Sequence, residues 1–297
     1  MPIDSTVRQS RGGSVDVLSR PFFYDPWRDH PIDGEMESKL PEQLGIWRLG
    51  SSLCVNSACC VTFAQPVDAV GSPRWDYAMK VATLPEGREG IAGSIAAGAQ
   101  IRHPNVVPIL DGNASGAWPY LTMPLLDGRT MKWHLSSGPR KPLPVALWLI
   151  RQICQGLGAI HAAGWTHGDV KPDNVIVGSN GHVTLIDLAF AHQGTLDQSA
   201  PFRGTRQYAA PELLVNASSG SPASDIFAAG RMLWEWLARV ETTNEQILSP
   251  ACELVECMVD AAPENRPSAD EVTATLLRME IDTLGEHIVP ARPRRAA

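Results

Sequence analysis

One short stretch, HGDVKPDNVIV from His167 to Val177, with LIDLA following from Leu185 to Ala189, constrains this chain more than any other part of it. Short apolar runs of β type (VIV, LI) flank four polar side chains at fixed intervals: Asp169, Lys171, Asn174 and Asp187. Apolar strands on either side of a polar loop build a rigid frame for a site that must keep its geometry. Asp169 can accept the proton of an attacking hydroxyl, and the Lys171 ammonium can offset charge on a phosphoryl group in transit. Asn174 and Asp187 are hard oxygen donors of the kind that hold magnesium.

The spacing resembles the H-R-D-L-K-x-x-N and D-F-G motifs of protein kinases. On it the chain is identified as a member of the bacterial-type serine/threonine protein kinases. The resemblance implies an α+β, two-lobed fold with a small antiparallel β N-lobe and a mainly helical C-lobe. It implies ATP as the nucleotide, Asp169 as the base, Lys171 as phosphoryl stabiliser, and Asn174 with Asp187 as ligands of Mg2+, with Mn2+ as the alternative ion.

The resemblance covers residues 45–280, divided into an N-lobe at 45–123, a hinge at 124–128 and a C-lobe at 129–280. Residues 1–44, rich in Pro, Asp, Arg and Ser, read as an extended leader interrupted by Phe22, Phe23, Tyr24 and Trp27. Residues 281–297 read as a tail. With 297 residues and 44% hydrophobic content the chain can bury the core such a domain needs. A net charge of -7 argues against a nucleic-acid partner. The six cysteines show no paired C-x-x-C spacing and read as free thiols of a cytoplasmic protein, acting in its own cell or delivered to another. The first residues lack the apolar core of a secretory signal. No uncharged apolar run reaches the roughly 18 residues of a membrane helix, so no membrane span is expected.

Three β-type runs, WRLG, CCVTFA and YAMKVA, lie between Trp47 and Ala82. YAMK puts Lys80 where the family has its V-A-I-K lysine, which implies contact with the nucleotide's phosphates. Two departures stand out. The family's G-x-G-x-x-G is set against LGSSLCV, which keeps Gly50 and has Ser52 and Val55 at the later glycine positions. A stiffer cover and weaker nucleotide binding are expected. Counting back from HPNV at 103–106, the helix glutamate that pairs with the strand lysine falls on Ser94. Either Glu89 reaches Lys80 after a register change or the pair is absent. Gly87, Gly90, Gly93 and Gly98 interrupt that helix, each costing about 1 kcal/mol relative to alanine. A regulatory partner that orders it is therefore among the expected partners.

Further on, YLTMPLL resembles the family's hinge. Met123 would guard the back of the adenine pocket, with Pro124 and Leu126 offering a backbone carbonyl and N–H to the base. LPVALWLIRQICQGLGAIHAAG has apolar residues at helical spacing and reads as a core helix leading into the HGD loop. GTRQYAAPE, Gly204 to Glu212, resembles the G-T-x-x-Y-x-A-P-E segment of serine/threonine kinases. It implies that Thr205 bonds near Asp169 and Lys171, and that the substrate is a protein serine or threonine. Glu212 and Arg266 are the implied buried ion pair, whose disruption costs roughly 3 to 5 kcal/mol. Asp225 is implied to tie the HGD backbone. Only RVETTNEQIL stands between Ala238 and Ser249, a shortened C-lobe. The last helix is expected from Ala269 to Glu280.

Gly168 replaces the arginine that in the family reads a phosphate on the activation segment. Phosphorylation of Thr195 or Ser199 therefore has no ordering partner, and activity is expected not to depend on it. D-L-A replaces D-F-G, so that Ala189 should restrict the turn of Asp187. The leading reading is an active protein kinase, although of low activity. A pseudokinase serving as a binding module is the alternative, followed by a small-molecule phosphotransferase.

Overall fold

Alternation of apolar side chains along the first strands builds a sheet with two buried faces. The strands are β1 (Gln43–Leu44), β2 (Trp47–Val55), β3 (Cys59–Pro66), β4 (Tyr77–Ala82), β5 (Asp111–Asn113) and β6 (Tyr120–Pro124), antiparallel in the order β1-β2-β3-β4-β6-β5. Successive side chains of a strand point to opposite faces. In β4, Met79 and Val81 join Trp47, Ala64 and Tyr120 on the outer face. Ala78 and Ala82 join Leu53, Val61, Leu121 and Ile186 on the inner one. Lys80, in phase with Ala78 and Ala82, is thereby sent inward.

In the computed structural model residues 40–288 are described, apart from 57, 70, 195–201, 203, 216–219 and 241–244. The aromatic cluster at 22–27, Thr195, Ser199 and the Pro/Arg end lie outside the described residues. The leader boundary at residue 44 needs correction. Gln43 and Leu44 pair with Arg48 and Trp47, and Leu40 packs on the outer cluster, so the sheet begins inside the stretch assigned to the leader.

Helix α1 (Pro85–Gln100) forms despite its glycines because two of them, Gly87 and Gly98, are where it presses on its neighbours. A Cβ at Gly87 would lie 2.4 Å from the Ala58 carbonyl oxygen, and one at Gly98 2.4 Å from the Ile109 side chain. Packing supplies what propensity withholds. The HPNV turn after α1 is fastened to the C-lobe: Val107 donates its N–H to the Leu185 carbonyl at 2.9 Å, and Leu185 donates to that of Asn105 at 2.8 Å. The Asn105 carboxamide donates to the Val183 carbonyl at 2.6 Å.

The C-lobe comprises β7 (Arg129–Thr130), α2 (Met131–Ser136), α3 (Leu143–Ala162), β8 (Trp165–Thr166), β9 (Val175–Val177), β10 (Val183–Leu185) and β11 (His192–Gln193). Helices α4 (Pro211–Val215), α5 (Pro222–Leu237), α6 (Glu245–Met258) and α7 (Ala269–Ile288) complete it. The molecule is thus α+β in two lobes. By length and composition α3 could cross a membrane, but 67% of its apolar stretch is buried, with Leu147, Ile150, Ile153 and Leu157 at the centre of the C-lobe core. Helix α7 does not stop at Glu280 as expected. Arg151 of α3 pairs with Glu280 at 2.6 Å, and α7 continues beyond that contact, with the Thr283 hydroxyl bonding back to the Met279 carbonyl of the same helix at 2.7 Å. Residues 238–244 are all that separates α5 from α6.

Candidate active site

Strand β8 delivers the chain into the HGD loop and β9 takes it away, while α5 fixes the loop from below. Asp225, in the first turn of α5 and 2% exposed, accepts the backbone N–H of His167 at 2.8 Å and of Gly168 at 3.0 Å. His161 Nε2 lies 2.9 Å from the same carboxylate. Burial alone would raise the Asp225 carboxyl, but the hydrogen bond and charge of His161, with the His167 N–H, hold it below the usual carboxylate range. Gly168 sits at φ +81°, and a Cβ there would come within 2.6 Å of the Phe190 carbonyl oxygen. The backbone at this point leaves no room for the family's arginine, a physical reason for its replacement.

The loop gathers the polar side chains that the sequence singled out. The Asp169 carboxylate, 6% exposed, pairs with Lys171 Nζ at 2.7 Å and accepts Asn174 Nδ2 at 3.0 Å. Asn174 Nδ2 also reaches the Asp169 carbonyl at 2.9 Å, so its nitrogen is committed to Asp169 and its carboxamide oxygen is the atom left to a cation. Thr205, arriving from the GTRQYAAPE segment, receives a hydrogen bond from Lys171 at 2.9 Å and donates one to Asp169 at 3.1 Å.

Across the cleft, Lys80 Nζ donates to Asp187 Oδ1 at 2.7 Å. Burial disfavours the ammonium, yet the charge of Asp187 raises Lys80 above the ordinary lysine value. Burial likewise opposes the carboxylate, and the Lys80 charge and hydrogen bond hold Asp187 below its ordinary value. Position 94 faces this pair but carries a serine, whose hydroxyl turns back to the Gly90 carbonyl at 2.7 Å. Glu89 stands on the exposed side of α1. The ion pair of Lys80 is thus made with Asp187, the residue also expected to hold the metal. Leu188 is 1% exposed and fills the apolar slot. The left-handed conformation falls on Asp187 itself, φ 65°, and not on Ala189, whose N–H bonds Asp187 Oδ1 at 3.2 Å. Alanine at 189 therefore meets no left-handed strain.

Between the lobes lies an open cleft of about 240 Å³ lined by Val61, Leu121, Met123 and Ile186 on apolar walls and by Lys80, Lys171, Asn174 and Asp187 at its polar end. Among the described residues no side chain plugs it. At the hinge, Leu125 donates its N–H outward to the Asp76 carbonyl at 2.9 Å, so in an extended chain the backbone groups of Pro124 and Leu126 turn the other way. The Pro124 and Leu126 side chains do not line the cleft.

Gly50 requires correction. It lies inside the continuous strand β2, where a Cβ would come 3.0 Å from Phe63 Cβ and 3.1 Å from the Trp75 ring, and it is not part of the cleft wall. The turn over the cleft comes later: Val55 pairs with Cys60, and the Asn56 N–H bonds the Cys59 carbonyl at 2.9 Å. The spacing G-x-G-x-x-G-x-V therefore lands on Cys54, Asn56, Cys59 and Val61, and no glycine remains at any of the three positions. Val61 was the signal that could have set this register, because it lines the cleft two residues after the last glycine position. His161, the second holder of Asp225, carried no sequence signal, since only the packing of α3 against α5 brings it there.

Remote from the cleft, Arg266 grips Glu212 with two hydrogen bonds, at 2.7 and 2.8 Å, and donates to the carbonyls of Ala223 and Asp260. Its guanidinium has 0% exposure and is fully bonded.

Residues 76–246, more than half of the chain, match the protein kinase domain family. The serine/threonine-protein kinase PknL of Mycobacterium tuberculosis is 29% identical over 188 residues, covering 59% of this chain and 46% of the relative. PknE of Mycobacterium bovis is 34% identical over 213 residues, covering 69% and 37%. PkaA of Streptomyces coelicolor is 30% identical over 217 residues, covering 63% and 39%. The chain spans less than half the length of these curated relatives.

Proposed function

Since this chain belongs to the protein kinase domain family and resembles its bacterial serine/threonine members, we propose that it transfers the γ-phosphoryl group of ATP to a serine or threonine hydroxyl of a protein. The observation that carries this reading is the convergence of Asp169, Lys171, Thr205 and Asn174 in one hydrogen-bonded cluster, of which Lys171 and Asn174 line the same cleft as Lys80 and Asp187. Asp169 accepts the proton of the incoming hydroxyl. Lys171, held between Asp169 and Thr205, presents a positive charge to the phosphoryl group. Lys80 meets the nucleotide's phosphates from the roof, and the apolar walls take the adenine. The Asn174 oxygen and the Asp187 carboxylate would hold Mg2+ or Mn2+, which when bound neutralises phosphate charge.

Phosphate transfer from radiolabelled ATP to generic protein substrates and to the chain itself tests the proposal. Asp169→Ala should abolish transfer, with a loss of about 100-fold or more in rate. Transfer by neither protein, with ATP still bound, would favour a binding module. Two features favour that second reading: Lys80 is paired with the metal aspartate, and the turn over the cleft lacks glycine.

A further inference from the structure

The turn above the cleft is closed by its own side chain. Asn56 Oδ1 accepts the backbone N–H of Ala58 at 2.9 Å and of Cys59 at 2.7 Å. Asn56 also lines the cleft that contains Lys80 and Asp187. From below, the Ala58 carbonyl accepts the N–H groups of Thr83 at 2.9 Å and Leu84 at 3.3 Å, and α1 presses on the same carbonyl at Gly87. The turn is therefore pinned to the sheet edge and the start of α1, while the N–H groups of Ala58 and Cys59 are already bonded to Asn56.

Successive backbone N–H groups of a tight turn form a concavity that binds anions, and a glycine-rich turn uses this to hold phosphate. A carboxamide oxygen aimed at the same donors competes for them. We propose that Asn56 is a positioning residue that sets this chain's affinity for the phosphate part of a nucleotide. Its side chain occupies the Ala58 and Cys59 N–H groups and must leave them before a phosphate oxygen can bond there. The inference rests on the reading of the cleft as a nucleotide site. It gives the weaker nucleotide binding expected from the sequence a named competitor, where the replacement of glycine alone implies only stiffness.

Binding of ATP and of adenosine, each measured by calorimetry at one Mg2+ concentration, separates the two parts of the nucleotide. Asn56→Ala should tighten ATP about tenfold, because the Ala58 and Cys59 N–H groups no longer have to give up the carboxamide before they bond phosphate, and should leave adenosine unchanged. Asn56→Asp keeps the acceptor and adds negative charge, so it should weaken ATP and leave adenosine unchanged. Hydrogen exchange at the Ala58 and Cys59 amides should be faster in Asn56→Ala than in the parent chain without nucleotide, and slowed again by ATP. A purely structural turn residue would lower stability without moving the ratio of ATP to adenosine affinity, and an unmoved ratio overturns the inference while the cleft reading stands. Failure of the parent chain and both variants to bind either ligand overturns the cleft reading and the inference together.

Discussion

Asp225 bonds three groups: the N–H of the buried His167, the N–H of Gly168 and the His161 ring, the last two in partly buried residues. Buried donors left without a partner cost about 1 to 3 kcal/mol each. Asp225→Ala should therefore lower stability by about 3 to 5 kcal/mol, read from the urea midpoint, and loosen the HGD loop. Asp225→Asn, which retains one acceptor oxygen, should cost less. Equal losses in the two variants would mean that a single acceptor oxygen and the retained shape count for nothing, and that the charge and paired oxygens of the carboxylate are what Asp225 supplies. At this scale the convergence of Asp169, Lys171 and Asn174 was legible from spacing, since they share one loop of fixed length. Gly50 was misplaced because a glycine in a strand and a glycine in a turn look alike until pairing sets the register.

At the level of elements, α1 is the instructive case, because its four glycines are not equivalent. A Cβ at Gly93 would meet only the Ala191 carbonyl oxygen at 3.8 Å and that of Ala189 at 4.0 Å, ordinary contact distances. Gly93→Ala should gain about 0.5 to 1 kcal/mol from helix propensity, seen as a rise in Tm. At Gly98 the new methyl would strike Ile109 Cγ1 at 2.4 Å and Cβ at 2.9 Å, so Gly98→Ala should lose about 1 to 3 kcal/mol by overpacking. Propensity alone predicts the same sign for both. Opposite signs in thermal unfolding would show that tertiary fit governs this helix.

For the molecule as a whole, two buried carboxylates tie stability to pH. Asp187 and Asp225 have lowered values in the folded chain, against about 3.9 when unfolded. Their contribution is complete above the unfolded value and is lost as pH falls through the folded ones. Lys80 is raised, so its contribution is present below about 10.4 and is lost as pH rises through the folded value. The unfolding midpoint should stay level from about pH 5 to 8 as far as these groups are concerned, then drop below about pH 4. The drop should be shallower in Asp225→Asn. What the sequence by itself determined was local: the composition of the HGD loop, the Lys80 strand, the buried stripe of α3 and the Glu212 and Arg266 signatures, all of which depend on spacing within one element. Only the tertiary structure decided which groups meet across elements: that Lys80 pairs with Asp187 rather than with an acid of α1, that His161 joins Asp225, and that Asn56 closes the turn over the cleft. Hydrogen bonds and ion pairs act over a few ångströms, and distances that short between residues far apart in the chain are set by how strands register and helices pack.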